Sequence, residues 1–356
     1  MAPASLFSGG AFGYFSDYLI FWLLFLSLLL HTWCFFRCFP RKRRPKTALV
    51  LGNALVLFSM LGLVAICAET YLRFAAVETD AFGVSLPARR WFALHTRLNA
   101  LGCRDKEWNI PKPNGVRRIA LVGDSYTYGW GIKNTRDRFP DRIQAMFDQQ
   151  TPGQIEVMNV AKPGWGTGDQ VRPIRDIIVL YGVDEIVLCY VPNDIEKLIP
   201  TTDDFNPTRP PDYYLINLDA SPLLDYLYRR LYLPRVPTVK GYHDWLADGI
   251  ADPNIWAAHT AQLNEIASIC REHNVTLRVV LLPFLRTGGT KFDAARFHTT
   301  LRHFFSASGI PVVDLLPIIS GYEISDLVVN GHDPHPNELA HQVFAEEFWR
   351  SVFGAE

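Results

Sequence analysis

The sequence lacks a large net charge, a cysteine framework and low-complexity tracts, and each absence excludes a class of protein. Its 35 Lys and Arg residues nearly balance 36 Asp and Glu residues, which leaves a formal net charge of -1. So neutral a chain has no global basic field, and we expect no nucleic-acid partner. With 49% hydrophobic and 20% charged residues, the chain is too apolar to be disordered and too varied to be fibrous.

The six cysteines form no C-x-x-C pair with zinc spacing, and no cluster of His, Asp and Glu supports a metal site. We therefore expect no metal and no cofactor. Among Cys103, Cys189 and Cys270, one disulfide bond remains an open alternative for an oxidising compartment. Because Cys189 lies in an apolar strand-like run, we expect it to be a small buried hydrophobic residue.

Charged residues are also missing from two long stretches near the N-terminus, residues 18–36 and 48–68. Each stretch is long enough to cross about 30 Å of hydrocarbon, which takes about 20 helical residues. In the second stretch, Gly52, Asn53 and Ser59 suit a contact between helices inside a bilayer. Residues 1–68 are therefore predicted to form a transmembrane hairpin.

The loop between these stretches, residues 37–47, is rich in Lys and Arg. Residues 1–46 carry a net charge of +5, which leaves -6 on the rest of the chain. Short basic loops stay in the cytoplasm, so both ends of the hairpin are predicted to face away from it. A cleaved signal peptide is the alternative, but its basic residues would precede the apolar run instead of following it.

The remaining chain is predicted to form a connector, residues 69–117, and an α/β domain, residues 118–356. Short apolar runs alternate there with helix-length amphipathic stretches, a pattern typical of a parallel sheet covered by helices on both faces. Strands are predicted at 118–122, 155–160, 185–191, 277–283 and 311–316. Helices are predicted at about 138–149, 168–182, 254–273, 291–308 and 337–353. Five such strands indicate a flavodoxin-like three-layer α/β/α sandwich.

Residues 196–253 interrupt this alternation with eight prolines and a set of aromatic residues that includes Tyr213, Tyr214, Tyr242 and Trp245. This insertion follows the third strand, so it is predicted to lie near the carboxyl edge of the sheet as a lid or acceptor platform. The alternative is that its rings pack the insertion onto the domain core.

Polar residues follow several of the predicted strands, where a doubly wound sheet keeps its active site. The first strand leads into Gly123, Asp124 and Ser125, and the glycine-bracketed turn lets this serine approach a ligand closely. A serine nucleophile needs a base, a group that orients the base, and donors for an oxyanion. Candidates follow the second strand at 159–164, the third at 191–194 and the fifth at 333–336.

These residues resemble the motifs of the SGNH (GDSL-type) hydrolase superfamily, in its membrane-anchored bacterial branch. The resemblance covers about residues 98–354, where Val191 replaces a usual glycine of the third motif. It implies that Ser125 is the nucleophile and that His335 is the general base, oriented by Asp333. It also implies an oxyanion hole made by the backbone N–H of Ser125 together with Gly164 and Asn193.

The resemblance implies acyl transfer through an acyl-serine intermediate. The leading hypothesis is that the protein adds or removes O-acetyl groups on an envelope or exported glycan, as an esterase or an O-acetyltransferase at the bacterial inner membrane with its catalytic domain in the periplasm. An acylated glycan or ester is the expected substrate, and a multi-spanning acyl-donating membrane protein is a candidate partner. A lipase or lysophospholipase and a non-catalytic glycan-binding component are the alternatives.

Two neighbouring residues have alternative interpretations. Asp124 is expected to have a structural role and not a catalytic one. His332 stands three residues before His335, a spacing that also fits a metal-binding pair. No supporting ligand cluster is visible in the sequence, so the metal hypothesis is the weaker of the two.

Overall fold

The computed structural model describes residues 11–39, 45–202, 221–285 and 290–354. Its helices are α1 (Ala11–Cys38), α2 (Pro45–Phe74), α3 (Leu86–His95), α4 (Ser125–Tyr128), α5 (Phe139–Gln150), α6 (Thr167–Tyr181), α7 (Pro222–Leu231), α8 (Pro237–Lys240), α9 (Tyr242–Ala251), α10 (Pro253–Glu272), α11 (Ala294–Ala307), α12 (Ile324–Leu327) and α13 (Glu338–Phe348). Its strands are β1 (Arg117–Gly123), β2 (Ile155–Ala161), β3 (Glu185–Tyr190), β4 (Thr276–Leu281), β5 (Val312–Asp314), β6 (Val328–Asn330) and β7 (Asp333–Pro336). Short 3₁₀ or π helices cover Thr135–Asp137, Pro192–Leu198, Leu233–Arg235, Leu316–Gly321 and Trp349–Phe353.

The chain divides into two compact units. The first unit comprises Met1–Glu78, Phe82–Trp91 and Arg209–Pro234. The second unit comprises Thr79–Ala81, Phe92–Thr208 and Arg235–Glu356. Residues 69–117 are thus shared between the two units, and they include helix α3 in addition to extended chain.

In the first unit, α1 and α2 are long and apolar enough to cross a membrane. Few of their side chains are buried, unlike those of a core helix in a soluble protein. The two helices pack against each other, with a hydrogen bond of 3.1 Å between the hydroxyls of Thr32 and Ser59. The ring of Phe25 covers Gly62, where a Cβ atom would lie 2.9 Å from the ring. Small and polar residues therefore make the contact between the helices.

An ion pair is buried near the C-terminal end of α2. The side chains of Glu69 and Arg73 are fully buried, with 2.8 Å between their nearest atoms. The second carboxylate oxygen of Glu69 accepts hydrogen bonds from the Ser221 hydroxyl at 2.8 Å and from the Leu223 backbone N–H at 2.9 Å. The carboxylate is therefore fully hydrogen-bonded, and it joins α2 to the start of α7 within this unit.

The second unit contains a parallel five-stranded sheet in the order β2-β1-β3-β4-β5, which confirms the predicted fold class. Strand β3 is buried along its whole length, and β1 is buried except at its first residue. Successive side chains of β1 enter opposite faces. Ile119 and Leu121 pack on the face covered by α5 and α13, while Ala120 and Val122 pack on the face covered by α6, α10 and α11.

The small antiparallel pair β6–β7 was not predicted, because runs of three and four residues carry no readable periodicity. In the insertion, Tyr242 and Trp245 pack with Ile195 and Leu246 in a separate hydrophobic cluster. Those two rings therefore have a packing role, which was the alternative to a lid or acceptor platform. Tyr213 and Tyr214 lie outside the described residues.

The cysteines described in the structure are all free. Cys189 is fully buried in β3, as its apolar surroundings predict.

The end of β1 has no room for a side chain at Gly123. A Cβ atom there would meet the Thr127 side chain and would lie 3.0 Å from the carbonyl oxygen of Cys189. Overpacking a buried site of this kind costs about 1–3 kcal/mol. We expect Gly123→Ala to lower the free energy of unfolding by that amount, measured by denaturant titration of the purified chain.

Gly321→Ala is the matched control, because a Cβ atom at Gly321 meets no atom of the described residues within 4 Å. We expect this exposed substitution to change the free energy of unfolding by less than about 0.5 kcal/mol. Equal stability of the two variants would contradict the close packing at the end of β1.

Candidate active site

The candidate site forms where three neighbouring strands end. Gly123, the last residue of β1, pairs with Ala161 of β2 on one side and with Cys189 of β3 on the other. Gly164 follows Ala161 by three residues, and Asn193 follows Cys189 by four. Because parallel strands end at the same edge, the turns that carry Gly164 and Asn193 leave the sheet on either side of Ser125.

Ser125 begins the short helix α4, and Asp124 caps that helix. One carboxylate oxygen of Asp124 accepts a hydrogen bond from the Tyr126 backbone N–H at 2.9 Å. Gly129 ends the helix in a left-handed conformation, φ 75°, which glycine adopts without strain. The side chain of Ser125 is thereby held at the strand end in a tight turn.

His335 lies within hydrogen-bond distance of the serine. Its Nε2 atom is 2.9 Å from Ser125 Oγ, and its Nδ1 atom is 2.5 Å from Asp333 Oδ1. The indole of Trp130 stacks on the imidazole at 5.1 Å between ring centroids, and the ring of Tyr126 meets it edge-on. An imidazole fixed in this way can accept a proton from a serine while a carboxylate stabilises the resulting positive charge.

Asp333 is fully buried, and burial alone would raise its pKa. The charge of His335 and the hydrogen bonds from His335 and Thr79 outweigh burial, so the pKa of Asp333 lies below its ordinary value. The carboxylate therefore stays ionised at neutral pH.

Thr79 is a member of the site that sequence reasoning missed. Its hydroxyl donates a hydrogen bond to the second carboxylate oxygen of Asp333, Oδ2. The backbone of this segment is held in turn, because Asn330 Nδ2 donates to Thr79 O at 3.0 Å and the Ala81 N–H donates to His332 O at 3.0 Å. Thr79 was assigned to the connector, and nothing in the pattern around it signals a contact 254 residues away.

The two residues predicted as oxyanion donors differ in how they are held. Asn193 Nδ2 donates one hydrogen bond to Asp124 Oδ2 at 3.1 Å, which leaves its second N–H for a ligand. Asn193 Oδ1 is buried with no hydrogen-bond partner in the part of the chain that the structure describes. Gly164 is exposed with φ 73°, and among the described residues no hydrogen bond joins it to the Ser125 turn. The oxyanion role of both residues stays a prediction.

Two buried carboxyl groups lie behind the serine. Burial raises the pKa of Asp124, although its hydrogen bonds with Tyr126 and Asn193 oppose the shift. Burial raises the pKa of Asp194 well above its ordinary value, and the charge of Asp124 adds to the rise. The pKa of Asp333, by contrast, is lowered. The site therefore contains carboxyl groups whose pKa values shift in opposite directions.

No three His, Cys, Asp or Glu side chains group as metal ligands within the described ranges. His332 lies in the turn between β6 and β7, where its backbone N–H binds Asn330 Oδ1 at 2.8 Å.

Known proteins give the following comparisons. A family model described as GDSL-like lipase/acylhydrolase matches residues 121–343. Three solved structures are similar to the chain: a psychrotrophic esterase EstA from a Pseudoalteromonas species (13% identity, TM-score 0.41, 67% of this chain and 98% of that one), a lipase Lip_vut3 from a goat rumen metagenome (14%, 0.44, 67% and 98%), and a catalytic mutant of the acetylxylan esterase Axe2 from Geobacillus stearothermophilus (14%, 0.40, 67% and 94%). The search of curated proteins finds no match.

Removing the Thr79 hydroxyl is expected to lower kcat and leave KM nearly unchanged. In Thr79→Val, Asp333 Oδ2 loses its hydrogen bond while it remains buried, which costs about 1–3 kcal/mol. If that cost falls on the transition state, kcat decreases about 10- to 100-fold. Steady-state hydrolysis of p-nitrophenyl acetate measures both constants.

Thr79→Ser restores the hydroxyl and is expected to recover most of kcat. Thr300→Val, which removes an exposed hydroxyl on α11, is the control. A kcat for Thr79→Val equal to that of wild type would contradict the positioning role of Thr79.

Asp194→Asn is expected to flatten the dependence of stability on pH. With a raised folded-state pKa, the folded chain keeps a proton that the unfolded chain loses above about pH 4. The contribution of Asp194 to stability is therefore complete below that pH and is lost as the pH rises through the folded-state pKa. Asparagine cannot ionise, so the stability of the variant relative to wild type should increase with pH.

Thermal unfolding midpoints between about pH 5 and about pH 8 measure this difference. Asp176→Asn, on the exposed face of α6, is the control for loss of one negative charge. Parallel curves for wild type and Asp194→Asn would refute the inferred shift.

Proposed function

Because the chain belongs to the GDSL-like lipase/acylhydrolase family, we propose that it is a membrane-anchored serine esterase or O-acyltransferase. It adds or removes O-acetyl groups on a glycan of the bacterial envelope, through an acyl-serine intermediate. The observation that carries this proposal is the hydrogen-bonded series Ser125, His335 and Asp333, with distances of 2.9 Å and 2.5 Å.

In the first half of the reaction, Ser125 Oγ attacks the carbonyl carbon of the acetyl ester while His335 Nε2 accepts the hydroxyl proton. The carbonyl π electrons move to its oxygen, which becomes an oxyanion. When the intermediate collapses, the bond between the carbonyl carbon and the leaving alkoxide breaks, and the alkoxide takes the proton from His335. The acetyl group is then esterified to Ser125.

The oxyanion is stabilised by donors at the carboxyl edge of the sheet. The backbone N–H of Ser125, the N–H of Gly164 and the second N–H of the Asn193 amide are assigned to it. The bond from Asn193 to Asp124 supports this assignment, because it fixes the amide beside Ser125 before substrate arrives.

In the second half, a hydroxyl gives its proton to His335 and attacks the acetyl carbon. The bond between that carbon and Ser125 Oγ then breaks, and Ser125 Oγ takes the proton back from His335. Water as the attacking group makes the protein an esterase, and a sugar hydroxyl makes it a transferase. Ser125, His335 and Asp333 have the same roles with either acceptor. The residues that surround these three side chains therefore determine the acceptor.

The position of the two apolar helices supports a substrate at a membrane surface. Helices α1 and α2 have 28 and 30 residues, enough to cross about 30 Å of hydrocarbon. The basic residues between them favour a cytoplasmic loop, and this supports the proposal that the catalytic unit lies outside the cytoplasm at the inner membrane. A multi-spanning acyl-donating protein in the same membrane is the partner that a transferase would use.

The first alternative is a lipase or lysophospholipase, since a bilayer also supplies ester substrates. Lipases need apolar surface for a long acyl chain beside the serine. Comparing p-nitrophenyl acetate with p-nitrophenyl palmitate distinguishes the two activities, because an O-acetyl enzyme prefers the short ester.

The second alternative is a non-catalytic component that binds glycan. A degenerate site would not need the serine and histidine in contact. The 2.9 Å separation of Ser125 Oγ and His335 Nε2 therefore favours an enzyme.

The test of the proposed function is hydrolysis of p-nitrophenyl acetate by the full chain in detergent, with Ser125→Ala beside wild type. We expect Ser125→Ala to reduce kcat by about 10³-fold or more. Ser320→Ala, which removes an exposed hydroxyl that donates to the Pro317 carbonyl, should retain wild-type kcat.

Adding an O-deacetylated glycan acceptor separates the two enzyme activities. Faster release of p-nitrophenol with acetylated sugar among the products indicates a transferase, and no acceleration indicates an esterase. Hydrolysis that does not depend on Ser125 would overturn the proposal.

A further inference from the structure

A cavity of about 940 Å³ lies in the second unit beside the edge strand β2. We call it the basic cavity, because six cationic side chains line it against three carboxylates. The cations are Arg97, Arg104, Lys106, Lys133, Arg136 and Arg138. Its lining thus carries a net positive charge in a chain whose net charge is -1.

Each carboxylate of the lining already has a partner. Asp141 binds Arg138 Nε at 2.8 Å. Asp105 Oδ2 accepts hydrogen bonds from the Asn159 backbone N–H at 2.8 Å and from Trp108 Nε1 at 2.9 Å. Asp148 accepts a hydrogen bond from Gln144 at 2.9 Å.

Three exposed cations of the basic cavity are therefore available to a ligand. The side chains of Arg97, Lys133 and Arg136 are exposed and form no ion pair within the described part of the chain. The planar guanidinium group of arginine can donate two parallel hydrogen bonds to a carboxylate or phosphate group.

The two deepest cations of the basic cavity are fixed in place. Arg104 and Arg138 are almost fully buried. Arg104 donates to the carbonyl oxygens of Gly129 at 2.8 Å and Ile132 at 2.7 Å, and Arg138 Nη1 donates to the Arg104 carbonyl at 2.5 Å. Arg138 is paired with Asp141, whereas the hydrogen bonds that Arg104 donates to neutral carbonyls leave its guanidinium charge in place. A buried charge acts over a longer range than an exposed one.

Burial and, after it, neighbouring positive charges lower the pKa of two groups that line the cavity. Burial and the charge of Arg138 lower the pKa of Arg104 to about 10. Burial and the charges of Arg104 and Lys133 lower the pKa of His95, which also lines the cavity. Both shifts have the direction that a site of excess positive charge produces.

The floor of the basic cavity also supports the turn that carries Ser125. Arg138 donates to the carbonyl of Tyr128 at 3.2 Å, Arg104 donates to that of Gly129, and Asn159 Nδ2 donates to that of Thr127 at 2.8 Å. Three consecutive carbonyl groups that follow the serine are therefore held by residues of the cavity. A ligand in the cavity lies behind the Ser125 turn, within the same unit.

We propose that the basic cavity binds an acidic sugar segment of the glycan substrate, through carboxylate or phosphate groups on the sugar. The proposal rests on the function proposed above and specifies its substrate class as anionic. Binding sites for ligands larger than a single ion span about 300–1,000 Å³, so the cavity volume favours a segment of a chain over an isolated anion.

The test is binding of tetragalacturonate to the full-length Ser125→Ala chain in detergent, measured by isothermal titration calorimetry. Xylotetraose is the neutral comparison, and inorganic phosphate is the competitor that distinguishes an isolated anion from a sugar chain. We expect tetragalacturonate to bind at least about tenfold more tightly than xylotetraose, with affinity that falls as salt increases. We expect phosphate to compete only weakly.

The double variant Arg97→Ser/Arg136→Ser is expected to weaken tetragalacturonate binding by roughly tenfold. Arg172→Ser/Arg175→Ser is the matched control, because it removes the same charge from two exposed positions of α6. The control should keep wild-type binding.

Equal affinity for tetragalacturonate and xylotetraose would overturn the proposal. Equal weakening by the two double variants, or saturation of the site by phosphate alone, would also overturn it. Because binding is measured without turnover, failure of this site is distinguishable from absence of Ser125-dependent hydrolysis of p-nitrophenyl acetate in wild type, which would overturn the proposed function instead.

Discussion

The hydrogen bond between His335 Nδ1 and Asp333 Oδ1 is the interaction on which the candidate site depends. It fixes the imidazole so that Nε2 faces Ser125, and it keeps a negative charge where a protonated histidine would need one. Asp333 is fully buried, so its charge is tolerated only because the surrounding groups satisfy both oxygens. Thr79 binds one oxygen and His335 binds the other. Ser125, His335, Asp333 and Thr79 thus form a small polar network. The aromatic rings of Trp130 and Tyr126 pack against its histidine.

The electrostatics of the site separate into two regions on either side of Ser125. On the side of Asp333, hydrogen bonds and the charge of His335 lower the carboxyl pKa. On the side of Asp124 and Asp194, burial raises the pKa of each carboxyl group. A negative charge beside the histidine promotes proton transfer from the serine, whereas excess negative charge at the oxyanion position would oppose it. The side of Asp333 therefore holds an ionised carboxylate next to His335.

Much of the fold could be predicted from the sequence because its strands are uninterrupted apolar runs. The prediction of β1 at 118–122 differs from Arg117–Gly123 by one residue at each end, since the turn residues that follow it are unmistakable. Ser125 was accessible for the same reason, because it follows β1. His335 lies in β7, which was not predicted, and it was accessible only through its resemblance to a family motif. Thr79 was not accessible, since its contact with Asp333 is purely tertiary. The basic cavity was missed because its cations come from separate segments whose charges cancel in any local average.

The central claim, that Ser125 carries the acyl group, is tested most directly by trapping the intermediate. The full chain would be mixed with p-nitrophenyl acetate, quenched in acid within the first turnover, digested and analysed by mass spectrometry. The account predicts one acetyl group on the peptide that contains Ser125, and none on that peptide in Ser125→Ala. Acetylation of a different residue, or turnover with no acetylated peptide at any quench time, would contradict it.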